Sequence, residues 1–392
     1  MSAPATELRP GVAKRETLDL GRHVRALDGL RGLAIVLVIL RHVGEDGPAR
    51  RVGGLISATL QSGWLGVDVF FVLSGYLITG ILLDARGDAD RPTDGYFRHF
   101  YARRALRIFP AYYLFLAVVV LIGRPPMPHG TAWYWTYLTN VLIARYGWPA
   151  GTWETGHLWS LAVEEQFYLV WPAIIAWTPR RRLPALCIGV ILSAVALRAV
   201  LVHQGAALAA YVLTPPRADT LVLGAALALA LRSGPRARDA VKRAAPAIGS
   251  VALGALGVLF VTHSLDHRLS FGGLVIGSAA AAIATAACIA QIGGGRIRQV
   301  FEWGPLVSFG TYSYTIYLVQ LPLRGALDYW LGDRLATWAP LPAVAAEGVL
   351  LAGASWGIAW VSWRLVERPI LALKRYVPMP RHGAPLRAGP PS

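Results

Sequence analysis

The sequence has few charged residues and almost no cysteine. Asp, Glu, Lys and Arg make up only 15% of its 392 residues, against about 25% in a typical soluble domain. Together with a hydrophobic content of 55%, this scarcity of charge argues against a soluble globular protein. The two cysteines lie in separate apolar runs. They therefore form no disulfide framework and offer no metal-ligand spacing, and we predict no metal site.

The sequence contains several long apolar runs. Several approach or exceed the ~18 residues that indicate a transmembrane helix. We therefore predict an all-α, polytopic membrane helix bundle with about ten transmembrane helices. The predicted spans are residues 27–44, 62–83, 105–123, 157–177, 185–203, 217–232, 246–263, 271–291, 305–323 and 341–364.

The aromatic segment 131–145 does not fit this series. Trp133, Tyr134, Trp135 and Tyr137 crowd its start, as in the aromatic belt at a membrane interface. We interpret it as an outer interfacial or re-entrant piece. The predicted domains are a cytoplasmic N-terminal segment (1–25), a transmembrane domain (26–370) and a cytoplasmic, disordered tail (371–392).

The basic residues predict the orientation. The formal net charge of +16 could indicate nucleic-acid binding, but the basic residues lie in short loops between apolar runs. With the N-terminus inside, most of the 38 Lys and Arg residues fall on one side, as the positive-inside rule requires. We predict no nucleic-acid partner and a multi-pass protein of a bacterial plasma membrane, with both termini cytoplasmic.

The first span is bracketed by two ionisable groups. Eleven positions separate Arg31 from His42, which places them roughly 16 Å apart along a helix, about half the thickness of a bilayer core. Ionisable groups inside membranes are costly and are functional candidates by default. The alternative interpretation is that His42 caps the helix at headgroup level.

Three acidic residues are predicted at a depth similar to that of His42. Asp68 begins the second span, and Glu164 and Glu165 lie about two turns from the outer end of the fourth. If these helices are neighbours, a carboxylate could orient the imidazole as a general base for a hydroxyl group. Alternatively, Asp68 is a favourable helix-start residue and one of the glutamates pairs with an arginine.

A cluster of arginines opens the third span on the predicted inner side. Arg103 and Arg107 are four residues apart and share a helical face, with Arg104 beside them. Arginine clusters bind phosphates through planar, multidentate contacts. Together with Arg31 they predict a polyphosphate site, although topogenic charge alone would also explain cytoplasmic arginines.

Five ordered motifs make the chain resemble the membrane acyltransferase-3 family over nearly its whole length. They are Leu27–Gly32 with the spacing to His42, Gly66–Tyr76, Arg103–Arg107, His157–Tyr168, and Ser313–Leu318 with Glu367–Pro369. Gln320 departs from the pattern, because such sequences often carry His or Trp at that position.

The resemblance implies an O-acyltransferase that uses an acyl-coenzyme A, usually acetyl-coenzyme A, as donor co-substrate, with no tightly bound cofactor. It implies essential roles for Arg31 and His42 and donor binding by Arg103, Arg104 and Arg107. Direct transfer and an acyl-His42 intermediate both remain open. We expect the acceptor to be a hydroxyl of a surface glycan or lipid-linked saccharide, with a secondary metabolite such as a macrolide as the alternative.

A proton-coupled transporter is the rival class. Buried Asp, Glu and His would then form a proton relay, but the motifs and the arginine cluster favour the acyltransferase. A structural scaffold leaves the buried ionisable groups unexplained. The sequence predicts no oligomeric state.

Overall fold

The computed structural model describes residues 24–44, 47–86, 92, 94–122, 129–148 and 153–377, and contains no β-strand within them. The predicted all-α polytopic class is confirmed. Residues 1–23 of the predicted N-terminal segment and 378–392 of the predicted tail lie outside the described residues. Residues 371–376 of the predicted tail are helical.

Eighteen α-helices are numbered here in chain order within the described residues. They are α1 Arg25–Val43, α2 Gly54–Gln61, α3 Gly66–Arg86, α4 Tyr96–Ile122, α5 Ala132–Trp135, α6 Thr139–Tyr146, α7 Trp153–Gly156, α8 Leu158–Trp177, α9 Leu183–His203, α10 Ala207–Val212, α11 Thr214–Arg232, α12 Pro235–Val261, α13 Ser278–Gln291, α14 Gly295–Phe301, α15 Gly304–Thr311, α16 Ser313–Ala336, α17 Pro340–Ser362 and α18 Arg368–Ala372. A π-helical segment, Phe271–Gly277, leads into α13.

Seven helical segments of the described chain are long and apolar enough to cross a membrane. They contain α3, α4, α9, α11, α12, α13 and α17. The long helices α1, α8 and α16 fall outside this group. Each carries ionisable side chains within its length, such as Arg31, Glu164 and Arg324.

The aromatic segment 131–145 is broken into two short helices. α5 and α6 have 4 and 8 residues, and even eight helical residues extend only about 12 Å, well short of a bilayer core of ~30 Å. This segment therefore does not form a spanning helix, as its composition predicts.

Several helices extend beyond the predicted apolar spans. α4 begins at Tyr96 and α12 at Pro235, because their arginine-rich starts continue the helix. The predicted ninth span is interrupted at Tyr312 and continues as α16 to Ala336. The prediction ended these spans where charge appeared, whereas the helical backbone does not end there.

Glycines let α1 and α3 approach their neighbours closely. A Cβ atom added at Gly29 would lie 1.7 Å from the carbonyl oxygen of Phe301, and one at Gly75 would lie 1.7 Å from that of Leu221. Such distances are far below van der Waals contact, so only glycine fits. α1 consequently packs against α3 and the α14–α17 region, and α3 packs against α11, as small residues allow in membranes.

Three ion pairs are buried between helices of the described chain. Arg198 forms a bidentate pair with Asp219 at 2.7 Å. Arg324 contacts Glu347 at 3.2 Å, and Arg217 contacts Asp68 at 2.5 Å. Because an unpaired buried charge is strongly destabilising, these pairs hold their helices in register.

Candidate active site

His42 lies in the last turn of α1 and contacts a side chain from α16. Its Nδ1 atom is 3.0 Å from Oε1 of Gln320, and Gln320 is fully buried. Its neighbour Arg41 donates a hydrogen bond to Gln61 from α2. The end of α1 is thus held by polar contacts to two other helices.

His42 lines a cavity with about 720 Å³ of empty space, called here the histidine cavity. Its walls are mainly aromatic, with two imidazoles and two guanidinium groups. They comprise Val38, Arg41, His42, Trp64, Val67, Trp148, Gly156, His157, Trp159, Tyr211, Arg268, Tyr317 and Leu321. Among these walls, Arg268 lies 5.5 Å from the ring centroids of both Trp148 and Tyr211.

A second cavity, called here the arginine cavity, has about 800 Å³ of empty space. Three arginines and two glutamates give it a different chemistry. It is lined by Arg31, Val67, Phe70, Phe71, Ser74, Arg104, Arg107, Ile108, Ser160, Leu161, Glu164, Glu165, Tyr168, Ser313, Tyr314 and Tyr317.

Val67 and Tyr317 line both cavities, so the two spaces adjoin at these side chains. The Tyr317 hydroxyl lies 2.6 Å from Oγ of Ser160 and donates to the carbonyl of His157 at 3.1 Å. The ring also packs edge-on against Phe70, at a centroid distance of 6.2 Å. Tyr317 is therefore a fixed side chain in the wall between the cavities.

The arginines of the cavity are positioned by neighbouring side chains. Arg31 donates to Asp28 at 2.9 Å. Arg107 lies 4.0 Å from Glu367, whose carboxylate also accepts a hydrogen bond from Thr315 at 2.6 Å. Planar guanidinium groups fixed in this way are suited to bind phosphate oxygens.

Arg103 behaves differently from the other predicted donor-binding arginines. It is not among the residues that line the arginine cavity. Its guanidinium donates to the backbone carbonyls of Lys374 at 3.4 Å and Val377 at 3.0 Å. Within this motif, Arg104 and Arg107, three residues apart, line the cavity together with Arg31, whereas Arg103 does not.

The predicted acids do not converge with His42. Glu164 and Glu165 line the arginine cavity, and Glu164 accepts a hydrogen bond from Ser74 at 2.5 Å. Asp68 lines neither cavity; its carboxylate is fully buried and accepts from Arg217 at 2.5 Å. The expected meeting of three groups at one point is therefore wrong, because depth along a span does not fix the direction in which a side chain points.

Several contacts in the site were not predicted from the sequence. His157 is 4% exposed and lines the histidine cavity. Its Nε2 donates to the carbonyl of Leu318 at 3.2 Å. Tyr317 and Ser160 belong to motifs already noted, so their presence in the motifs was the available signal. No sequence signal linked Gln320 to His42, 278 positions away.

The fold and these cavities define a polytopic, all-α membrane protein with an arginine-lined cavity and a histidine-lined cavity side by side. A model of the acyltransferase-3 family, described as an acyltransferase domain, matches residues 24–360. The chain belongs to this family, and the membership predicted from the motifs is confirmed.

Named relatives come from bacteria. OatA of Listeria monocytogenes, a peptidoglycan O-acetyltransferase, is 30% identical over 91% of this chain and 57% of its own length. YrhL of Bacillus subtilis, provisionally named a peptidoglycan O-acetyltransferase, is 32% identical over 77% of this chain and 49% of its own. OatA of Staphylococcus aureus, an O-acetyltransferase, is 27% identical over 89% of this chain and 57% of its own.

The chain spans about half the length of these curated relatives. No solved structure matches the chain significantly. The apolar helices and the bacterial relatives together indicate a multi-pass bacterial membrane protein.

Proposed function

We propose that this protein is a membrane O-acetyltransferase that moves an acetyl group from acetyl-coenzyme A to a hydroxyl of a cell-wall glycan. The observation that carries the proposal is the pair of adjoining cavities. One is lined by three arginines, the other contains His42, and Tyr317 and Val67 belong to both. A donor with a phosphate-rich head and a long flexible arm fits this arrangement.

The head of the donor is proposed to bind in the arginine cavity. Arg31, Arg104 and Arg107 present guanidinium groups that can bind phosphate oxygens with charge-assisted hydrogen bonds. The cavity also contains Glu164 and Glu165, which offset part of this positive charge. The predicted cytoplasmic location of both termini would place this cavity on the side of the membrane that supplies coenzyme A.

The reaction is proposed to occur at His42. The imidazole takes the proton of the acceptor hydroxyl while the hydroxyl oxygen forms a bond to the thioester carbonyl carbon. The carbon–sulfur bond then breaks, and the sulfur leaves as a thiolate that receives the proton from the imidazolium. The products are an acetyl ester and free coenzyme A, so atoms and charge balance without a further reactant.

The histidine cavity suits a saccharide acceptor. Trp148, Trp159 and Tyr211 line it, and aromatic rings combine a large apolar face with a polar edge. Peptidoglycan is the acceptor named for the Listeria relative. We therefore favour a cell-wall glycan over a secondary metabolite as the acceptor.

The test is a reconstitution with defined donor and acceptor. Purified protein in lipid nanodiscs is given acetyl-coenzyme A and either muropeptides, a macrolide or no acceptor. We expect release of coenzyme A and an O-acetylated product, identified by mass spectrometry, with muropeptides only. Product formation with the macrolide alone would overturn the glycan assignment. Solute flux in proteoliposomes without thioester loss would overturn the enzyme class and favour the transporter.

A further inference from the structure

We infer that Gln320 is a positioning residue that holds His42 in the tautomer whose basic nitrogen is Nε2. The inference rests on the proposed role of His42 as general base. Its direct support is the 3.0 Å contact between Gln320 Oε1 and His42 Nδ1. An amide oxygen only accepts hydrogen bonds, so with the amide in this orientation Nδ1 carries the proton and, in the neutral imidazole, Nε2 carries the lone pair.

Gln320 is well placed to hold the imidazole. Its side chain is fully buried on α16, one turn beyond Tyr317 in the wall between the cavities. The same stretch of α16 is held by the hydrogen bond from His157 to the carbonyl of Leu318. The amide oxygen is therefore supplied by a fixed part of the bundle, and the imidazole is oriented by it.

A packing role alone accounts poorly for an amide at this position. The Nε2 atom of Gln320 has no hydrogen-bond partner among the described residues. A buried donor left unsatisfied is destabilising, whereas an apolar side chain of similar shape would avoid this cost. The hydrogen bond to His42 gives the polar group a function.

A neutral amide orients an imidazole without adding charge. A carboxylate in the same place would also stabilise the imidazolium form. Among the residues that the structure describes, the other titratable or charged groups lining this cavity are Arg41 from the same helix, His157, Tyr211, Arg268 and Tyr317. All of these remain in place when Gln320 is substituted, so a changed pH profile in a Gln320 variant reports on the Gln320–His42 contact.

Two substitutions separate orientation from packing. Gln320→Met preserves the length and volume of the side chain but removes the oxygen. We expect kcat to fall by about 10- to 100-fold, part of the ~10²–10⁴-fold that a general base supplies, with an unchanged KM for acetyl-coenzyme A. Gln320→Glu retains an acceptor for Nδ1 and adds a negative charge. It should preserve most activity and shift the acidic limb of kcat/KM to higher pH, because the charge stabilises the protonated base.

A matched control is Gln291→Met, which replaces a partly buried glutamine that donates to the carbonyl of Lys242 outside both cavities. Its kcat and pH profile should equal those of the wild type. Wild-type kcat in a folded Gln320→Met variant, or an unshifted profile in Gln320→Glu, would overturn the positioning role.

A second readout does not depend on transfer activity. Nitrogen-15 spectra of histidine-labelled protein, with the His42 signal assigned by its loss in His42→Ala, report which ring nitrogen carries the proton. We expect a protonated Nδ1 in the wild type and a mixture of tautomers in Gln320→Met. A protonated Nε2 in the wild type would overturn the inference even if transfer occurs. The expected tautomers without any transfer would instead count against the proposed function.

Discussion

The arginine cavity and the histidine cavity share a wall but differ in chemistry. The first contains three arginines and two glutamates, whereas the second has mostly aromatic walls around two imidazoles and two arginines. Fixed charges are suited to a polyanionic head, and rings are suited to a sugar. This difference is the basis for our proposal that one cavity binds the donor and the other carries out proton transfer.

The shared wall is as informative as the difference. The Tyr317 hydroxyl forms hydrogen bonds with Ser160 and with the backbone carbonyl of His157. These contacts fix the side chain that lies between the two cavities. A donor arm that reaches His42 from the arginine cavity has to pass Tyr317 and Val67. Donor binding and proton transfer can therefore be separated by mutation.

Removing the imidazole should have the largest effect on catalysis. We expect His42→Ala to lower kcat by about 10²–10⁴-fold while the affinity for coenzyme A stays unchanged, since His42 does not line the arginine cavity. Steady-state kinetics and calorimetric titration measure the two quantities. The matched control is His263→Ala, which removes an exposed histidine paired with Asp266. Wild-type turnover by a well-folded His42→Ala protein would disprove the catalytic assignment.

Asp68→Asn should lower the free energy of unfolding but have little effect on the rate of acyl transfer. The change leaves Arg217 buried without its counter-charge, and breaking such a pair costs about 3–5 kcal/mol. The free energy of unfolding in detergent micelles measures the loss. Asp84→Asn, which breaks a half-exposed pair with Arg232, is the matched control and should cost ~0–1 kcal/mol.

The turnover of the folded Asp68→Asn protein distinguishes two interpretations. With Arg217 as its partner, Asp68 should be structural, and kcat per folded molecule should stay near the wild-type value. A stable variant with a large loss of kcat would restore the role predicted from the sequence, in which Asp68 orients His42.

Arg104→Ala should weaken donor binding without affecting the general base His42. Loss of one charge-assisted contact to phosphate costs ~1.5–3 kcal/mol, or roughly ten- to more than a hundredfold in the affinity for coenzyme A. Added salt should weaken wild-type binding more than binding by the variant. Arg298→Ala, which removes an exposed pair with Glu302, serves as the control. A change in kcat at saturating donor with unchanged affinity would contradict the division between the cavities.

Arg103→Ala should have the smallest effect, although the sequence grouped it with Arg104. Its guanidinium contacts the carbonyls of Lys374 and Val377. We therefore expect coenzyme A affinity to fall by less than about fivefold, equivalent to ~1 kcal/mol. Calorimetric titration of both arginine variants with coenzyme A compares their losses of affinity directly. Equal losses would place Arg103 in the donor site after all.

The sequence predicted what depends on position along a helix. The apolar runs located the long helices, and the motifs identified Arg31, His42, Arg104 and Arg107, each of which lines one of the two cavities. It could not predict the direction of side chains around a helix axis. Asp68 therefore turned out to face Arg217 on α11.

Partners from distant parts of the chain were equally inaccessible. The contact of His42 with Gln320 joins α1 to α16, and that of Arg107 with Glu367 joins α4 to a segment after α17. Both depend on how the helices are arranged around α1, which hydropathy does not encode.

Cysteine protection tests the central claim that the donor occupies the arginine cavity. Cys187 and Cys288 are first replaced by serine, and either Ser74→Cys in the arginine cavity or Trp148→Cys in the histidine cavity is introduced. A small thiol reagent then reacts with oriented vesicles with and without coenzyme A on the cytoplasmic face. At ten times its Kd, coenzyme A should slow labelling of Ser74→Cys roughly tenfold and that of Trp148→Cys by less, because only the donor arm enters the histidine cavity. Protection of Trp148→Cys alone, or protection only when coenzyme A is added to the opposite face, would contradict the account.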